Sequence, residues 1–366
     1  MPISAVDSIS LAFEHTKKQL FQPFRFGQWV RLAVVGLLAG ELGSSGFNKS
    51  NFNFPHQPGA SPRSPFPHFP GVDIALLAGL IAAVIIAAFV IGIVFMYISS
   101  VMRFVLFDSV IAKECHIRDG WSRRQAPGWR YFVWKLLYAL VVFAVLIILV
   151  GIPAGFAFAA GWFNSPKEHM LPLVLGGVLL FFALMIFFVA SAVIFVLTKD
   201  FVIPQMALEE IGAIEGWQRL WSMIAAEKGG YAAYIGMKIV MAIGAGILVG
   251  IATLILGLII AIPTVGLSIL AVLTGKTAGL TWNAYTITLA IVVGSVLLAI
   301  FLFMVALISV PVIVFFPAYS IYFFAARYPA LSAQLYPAAQ PALGSIAAPP
   351  LPPQPAPLPP APQPAG

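Results

Sequence analysis

Residues Ile74 to Met102 contain no charged side chain, and neither do Leu136 to Pro166 or Ile239 to Gly275. Each run exceeds the ~20 residues that an α-helix needs to cross a bilayer core. The apolar pattern predicts six spans: about Trp29 to Gly43, Ile74 to Ser99, Tyr131 to Ala154, Leu173 to Leu197, Tyr234 to Ile262 and Tyr285 to Val310. Proline lacks a backbone donor and clashes with the preceding turn. Pro263 is therefore expected to stop the fifth span, and Pro311 and Pro317 to end or kink the sixth. The fold class that follows is all-α: an integral membrane bundle of six transmembrane helices over residues 1–327, with residues 44–72 as an irregular outer loop.

Between the spans the period changes. In Pro204 to Glu227 the residues Leu208, Ile211, Ile214, Trp217, Trp221 and Ile224 recur at steps of three and four, which is one apolar stripe of a helix. Such a helix lies in the membrane interface with its tryptophans at headgroup depth, or docks against the cytoplasmic face of the bundle. Three stretches align: "DSISLAFEHTKKQLF" from Asp7, "DSVIAKECHIRDGWSRR" from Asp108 and "DFVIPQMALEEIGAIEGWQRLW" from Asp200. Each is a candidate amphipathic interfacial helix, and each leads into a span with one basic residue at its start, namely Arg31, Lys135 and Lys238. The pattern fits a threefold internal repeat of an interfacial helix plus two spans. It also fits any six-span protein with basic and Trp residues at its cytoplasmic edges.

Charge sets the orientation. Of the 20 Lys and Arg, only Lys49, Arg63, Lys167 and Lys276 fall on one side of the predicted spans. The excess of positive charge on the other side places both termini in the cytoplasm. A chain that is 61% hydrophobic and 9% charged has too few charges to cover a soluble surface. The net charge of +7 is thus a topology signal, and no nucleic-acid partner is expected.

Arg31 then sits in the first turns of a span whose edge is marked by Trp29. Its long side chain snorkels to the headgroups, or it converges with Lys135 and Lys238 on one lipid-headgroup or anion site. Trp29, Trp121, Trp134, Trp217 and Trp221 are the expected interfacial anchors. Glu41 reads as a solvated outer helix end, or as a carboxylate lining an outer cavity. Small residues at four-residue steps (Ala75, Gly79, Ala83 and Ala87; Gly151, Gly155 and Ala159; Gly246 and Gly250, with Gly257 beyond) predict close helix packing within the bilayer.

Candidate chemistry is sparse. There is no phosphate-binding loop, zinc-protease or nucleophile-elbow signature, so no catalytic residue, cofactor or metal is expected, and an enzyme is not. His56 and His68 lie twelve apart in a Pro-rich loop, not at a metal-binding spacing. The lone Cys115 excludes an intrachain disulfide. Residues 328–366 read as a Pro/Ala-rich, disordered cytoplasmic tail, "PPLPPQPAPLPPAPQPAG" at its end, able to dock a protein partner or to act as a spacer.

The stretches "FEHTKKQLFQPFRFGQWVRLAVVGLLAGE" and "KDFVIPQMALEEIGAIEGWQRLW" resemble a group of uncharacterised bacterial polytopic membrane proteins. The layout is similar to the membrane domain fused to some glycerophosphodiester phosphodiesterases. The resemblance covers roughly residues 5–325, excluding the outer loop and the tail, and implies a lipid-embedded helper or anchoring module in a bacterial inner membrane. The metal-binding carboxylates of the phosphodiesterase have no counterpart here. The expectation is therefore a non-enzymatic module that associates with membrane lipids, chiefly anionic headgroups at the cytoplasmic face, or organises a partner. The alternative is a transporter or channel for an uncharged or amphiphilic solute.

Overall fold

The computed structural model describes residues 3–41, 74–277 and 284–336. Among these, every regular element is helical. In chain order they are α1 (Asp7–Phe21), α2 (Phe26–Leu38), α3 (Ile74–Ala112), α4 (Ile117–Ala159), α5 (Met170–Leu197), a π-helical turn (Thr198–Val202), α6 (Ile203–Glu209), α7 (Ala213–Ala226), α8 (Lys228–Thr277), α9 (Ala284–Ala325) and α10 (Pro329–Leu335). The expected outer loop, the tail beyond Tyr336, His56 and His68 lie outside the described residues.

Five helices are long and apolar enough to cross a membrane: α3, α4, α5 with its continuation into α6, α8 and α9. The sequence pattern pointed to six. The expected first span is the 13-residue α2, about 20 Å long at 1.5 Å per residue, against a bilayer core of about 30 Å. Its end is built into the sequence. Gly40 takes a left-handed conformation (φ +80°), its N–H donates to the Leu37 carbonyl, and the Glu41 N–H donates to the Gly36 carbonyl. These two bonds form a Schellman stop. The α2 helix lies beside the C-terminal part of α3, with Gln28 donating to the Lys113 carbonyl and Ser99 to the Ala39 carbonyl. It packs below the apolar runs rather than among them.

The prolines do not end their helices. The α8 helix continues through Pro263 to Thr277, and α9 through Pro311 and Pro317 to Ala325. In apolar surroundings a broken helix exposes backbone groups that nothing satisfies, whereas a single proline removes one bond.

Separate interfacial helices are only partly present. Asp108 falls inside α3 and Trp121 inside α4, so the second aligned stretch is the junction of two long helices. The third is split at Glu210, which has φ +56° and passes its carbonyl to Arg130. The buried side of α7 is Ala213, Gly216 and Leu220. Ile214 and Trp221 of the expected stripe are 69% and 68% exposed. A Cβ on Gly216 would come 2.8 Å from Val202, so α7 is seated against the π turn. The three aligned stretches thus fold in three different ways.

The core sits at one end of the molecule. Phe104, Tyr131, Phe201, Met206, Tyr234, Tyr319, Phe323 and Leu331 are buried together there. The α1 helix is held against it by His15, which bonds the Val110 carbonyl and the Tyr322 hydroxyl, and by Gln19, which donates to the Ser109 carbonyl. By contrast the most apolar window of each spanning helix is almost wholly unburied, from 0% in three of them to 11% in α9. A Cβ on Gly79, Gly155 or Gly250 would meet no atom within 4 Å. Among the described residues the predicted close packing is therefore absent at these three glycines, whereas a Cβ on Gly257 would lie 3.8 Å from Phe301 of α9.

Both described ends meet at the packed end. Arg327 forms a two-bond fork with Glu227 (2.8 and 2.7 Å), donates to the Ile3 carbonyl (3.2 Å) and lies over the Phe323 ring. Lysine keeps the charge but not the fork. Arg327→Lys is therefore expected to cost about 1–2 kcal/mol and to speed proteolytic clipping of the N-terminal residues. Unchanged clipping would show that this lock holds nothing.

Candidate functional site: a buried charge layer

The uncharged runs of four helices each end on a cation: α3 on Arg103, α4 on Lys135, α5 on Lys199 and α8 on Lys238. Because α3 and α5 run opposite to α4 and α8, these ends come together in one layer between the unburied apolar windows and the packed core. Glu41, delivered by the Schellman stop of α2, enters the same layer. Its two carboxylate oxygens receive Arg103 and Lys199. Arg103 also donates to the Ala39 carbonyl at 2.8 Å. Asp200, in the π turn, receives Lys238 and the Tyr234 hydroxyl (2.9 Å). Tyr234 stacks on Tyr319 with centroids 5.0 Å apart.

The layer is dry. The Glu41 and Asp200 side chains are 4% and 2% exposed. Burial alone would raise the Glu41 carboxyl above the ordinary carboxylate range. Arg103, followed by Lys199, outweighs it and holds the group down at about 2. In a low-dielectric interior such pairs survive only when both partners are present and well bonded. A cavity of about 20 Å³ opens between Arg103, Lys199, Asp200 and Ser320, walled by Leu106, Phe107, Ile203, Pro317 and Ile321.

The three basic residues singled out in the sequence part company. Lys238 is engaged by Asp200 within the layer. Lys135 lies at the rim, half-buried, and donates to the Ser99 hydroxyl at 3.5 Å. Arg31 is elsewhere: its guanidinium meets the Cys115 carbonyl (3.3 Å) beside the junction of α3 and α4. There it lines an open cavity of about 250 Å³ with Arg25, Gln28, Glu114 and His116. Burial pushes the Cys115 thiol up, which suits a packing residue. Exposed Phe21, Phe24 and Phe26 flank this elbow.

Of the tryptophans, Trp29 donates to the Leu20 carbonyl (3.0 Å) and Trp217 to the Thr198 hydroxyl (3.0 Å). Trp121 packs edge-on to Tyr97, and Trp134 stacks between Tyr131 and Tyr138. Of the five expected anchors only Trp221 is exposed; Trp129, not among them, is 56% exposed. Sequence reasoning passed over Arg103, Lys199 and Asp200 as site residues. The signal was their position at the last step of an uncharged run. Glu41 was recognised but assigned to the opposite, solvated end. Among the described residues no group of three His, Cys, Asp or Glu side chains is placed to hold a metal ion.

No curated protein and no solved structure matches the chain, and nothing in these comparisons links it to glycerophosphodiester phosphodiesterases. One family model matches, over residues 3–333, and so covers both the charge layer and the five spanning helices. The chain therefore belongs to a family of unknown function, DUF7544.

Proposed function

We propose that this protein is a non-enzymatic, lipid-associated module of a bacterial inner membrane, with its charge layer and both termini toward the cytoplasm. The observation that supports it is the near-complete exposure of the apolar helix windows directly above a ring of basic helix ends. Helices that do not bury one another in lipid must be flanked by acyl chains. The headgroups of those lipids then fall at the level of Lys135, beside the stacked rings of Trp134 and Tyr138. A half-buried ammonium with one hydroxyl partner suits a lipid phosphate. Arg31 and Arg25, on the elbow further from the apolar runs, extend the basic surface. The chain's Lys and Arg bias toward this end of the molecule supports the orientation.

The test is native mass spectrometry of protein extracted in a mild detergent, comparing wild type with Lys135→Gln. Wild type is expected to retain anionic lipid, and the variant to lose at least half of it. Wild type flying without lipid, or a variant retaining as much, would count against the reading. Flux of uncharged solutes in liposomes would then be measured next.

A further inference from the structure

Inside the layer, below Lys135 at its rim, the charges do not balance. Arg103, Lys199 and Lys238 face Glu41 and Asp200, and the five side chains are between 2% and 13% exposed. One positive charge is left over among the described residues at this depth, where an uncompensated ion is strongly disfavoured. The small cavity lies at this excess. Its volume of about 20 Å³ admits one water-sized species. Its apolar walls leave no room for a phosphate group.

Two cations line the cavity, and both have donors to spare. A guanidinium has five N–H donors and an ammonium three. Arg103 donates to Glu41 and to the Ala39 carbonyl, and Lys199 donates to Glu41. The Ser320 hydroxyl lines the cavity too, but it is given to the Pro317 carbonyl at 2.8 Å. Asp200 is the one carboxylate in the wall, and its Oδ2 is taken up by Lys238 and Tyr234.

We propose that this cavity binds a single small monovalent anion, of which chloride is the natural example, between Arg103 and Lys199. The ion completes the charge balance of the layer and ties α3 to the π turn after α5. This site does not rest on the lipid reading: headgroups meet Lys135 at the rim, whereas the anion sits inside.

A ligand that binds only the folded state raises the unfolding midpoint as its concentration rises. The full chain in detergent micelles is titrated with sodium chloride against sodium gluconate at constant ionic strength, and thermal unfolding is followed. A midpoint rise of several degrees that saturates with chloride, reproduced by bromide, is expected for wild type. Lys238→Met leaves two cations facing two carboxylates, so its midpoint should no longer respond to chloride. No response in wild type would overturn the proposal, leaving water in the cavity or a lysine that has given up its proton. An equal response in wild type and Lys238→Met would also overturn it, since chloride would then act through general salt effects. Should the variant fail to fold, crystals of wild type grown in bromide decide the matter. An anomalous peak between Arg103 and Lys199 supports the site, and its absence refutes it. Loss of bound lipid on Lys135→Gln with the chloride response intact would separate the two sites.

Discussion

Glu41→Ala is expected to cost about 3–5 kcal/mol, because it leaves two buried cations, Arg103 and Lys199, without the carboxylate that both of them use. The effect should exceed that of any exposed ion-pair change. Glu14, paired with Lys18 on the surface of α1 and 69% exposed, is the control, and Glu14→Ala should cost under about 1 kcal/mol. Unfolding midpoints in detergent, with fluorescence-detected size exclusion as a check on recovery, measure both. Equal effects would show Glu41 to be a solvated helix end. The pH dependence runs in a definite direction. The Glu41 carboxyl is depressed in the fold, from 4.5 to about 2. Its contribution is therefore fully present above about pH 4.5 and is lost as the pH falls toward 2. Glu41→Gln should remove that acid-sensitive component while preserving the side-chain shape.

Glu41 also shows where sequence and structure diverge. The apolar runs of α3, α4, α5, α8 and α9 are legible because lipid imposes one requirement, an unbroken apolar helix of sufficient length. The layer of basic residues is only half legible: each one ends such a run, but Lys135 and Lys238 stand out in the sequence while Arg103 and Lys199 do not. The end of α2 depends on something local. Gly40 closes a Schellman stop after 13 residues, and a single glycine in a small-residue stretch does not distinguish a stop from a packing position. With α2 taken as a span, Glu41 was assigned to the far side. In the structure the stop places Glu41 against Arg103, 62 residues away in sequence. The prolines misled for a related reason. The backbone penalty of Pro263 or Pro317 is real in water, but in lipid the cost of stopping is greater. Aligned Asp, Trp and basic positions in three stretches reflected a shared boundary rather than a shared fold: Asp108 pairs with Arg124, whereas Asp200 pairs with Lys238.

The glycines give the second large effect, and they separate two kinds of small residue that look alike in the sequence. At Gly128 of α4 a Cβ would come 2.7 Å from the Val101 side chain and 3.1 Å from its Cα. A side chain can move aside, but the backbone of α3 cannot without separating the two helices next to the charge layer. Gly128→Ala is therefore expected to cost about 1–3 kcal/mol, the range for overpacking a tight contact, and Gly128→Leu to prevent folding. At Gly79 of α3 and Gly155 of α4 nothing lies within 4 Å. There an alanine removes only the helix penalty of glycine, so Gly79→Ala and Gly155→Ala should be neutral or stabilising by up to about 1 kcal/mol. Unfolding midpoints of the three alanine variants in one detergent make the comparison. If Gly79→Ala is as damaging as Gly128→Ala, the apolar windows are packed against protein in the assembled membrane, and the lipid-flanked arrangement fails. If only Gly128→Ala is damaging, the fold is held together below the apolar windows, where the helices touch, and the windows themselves are free to be covered by lipid.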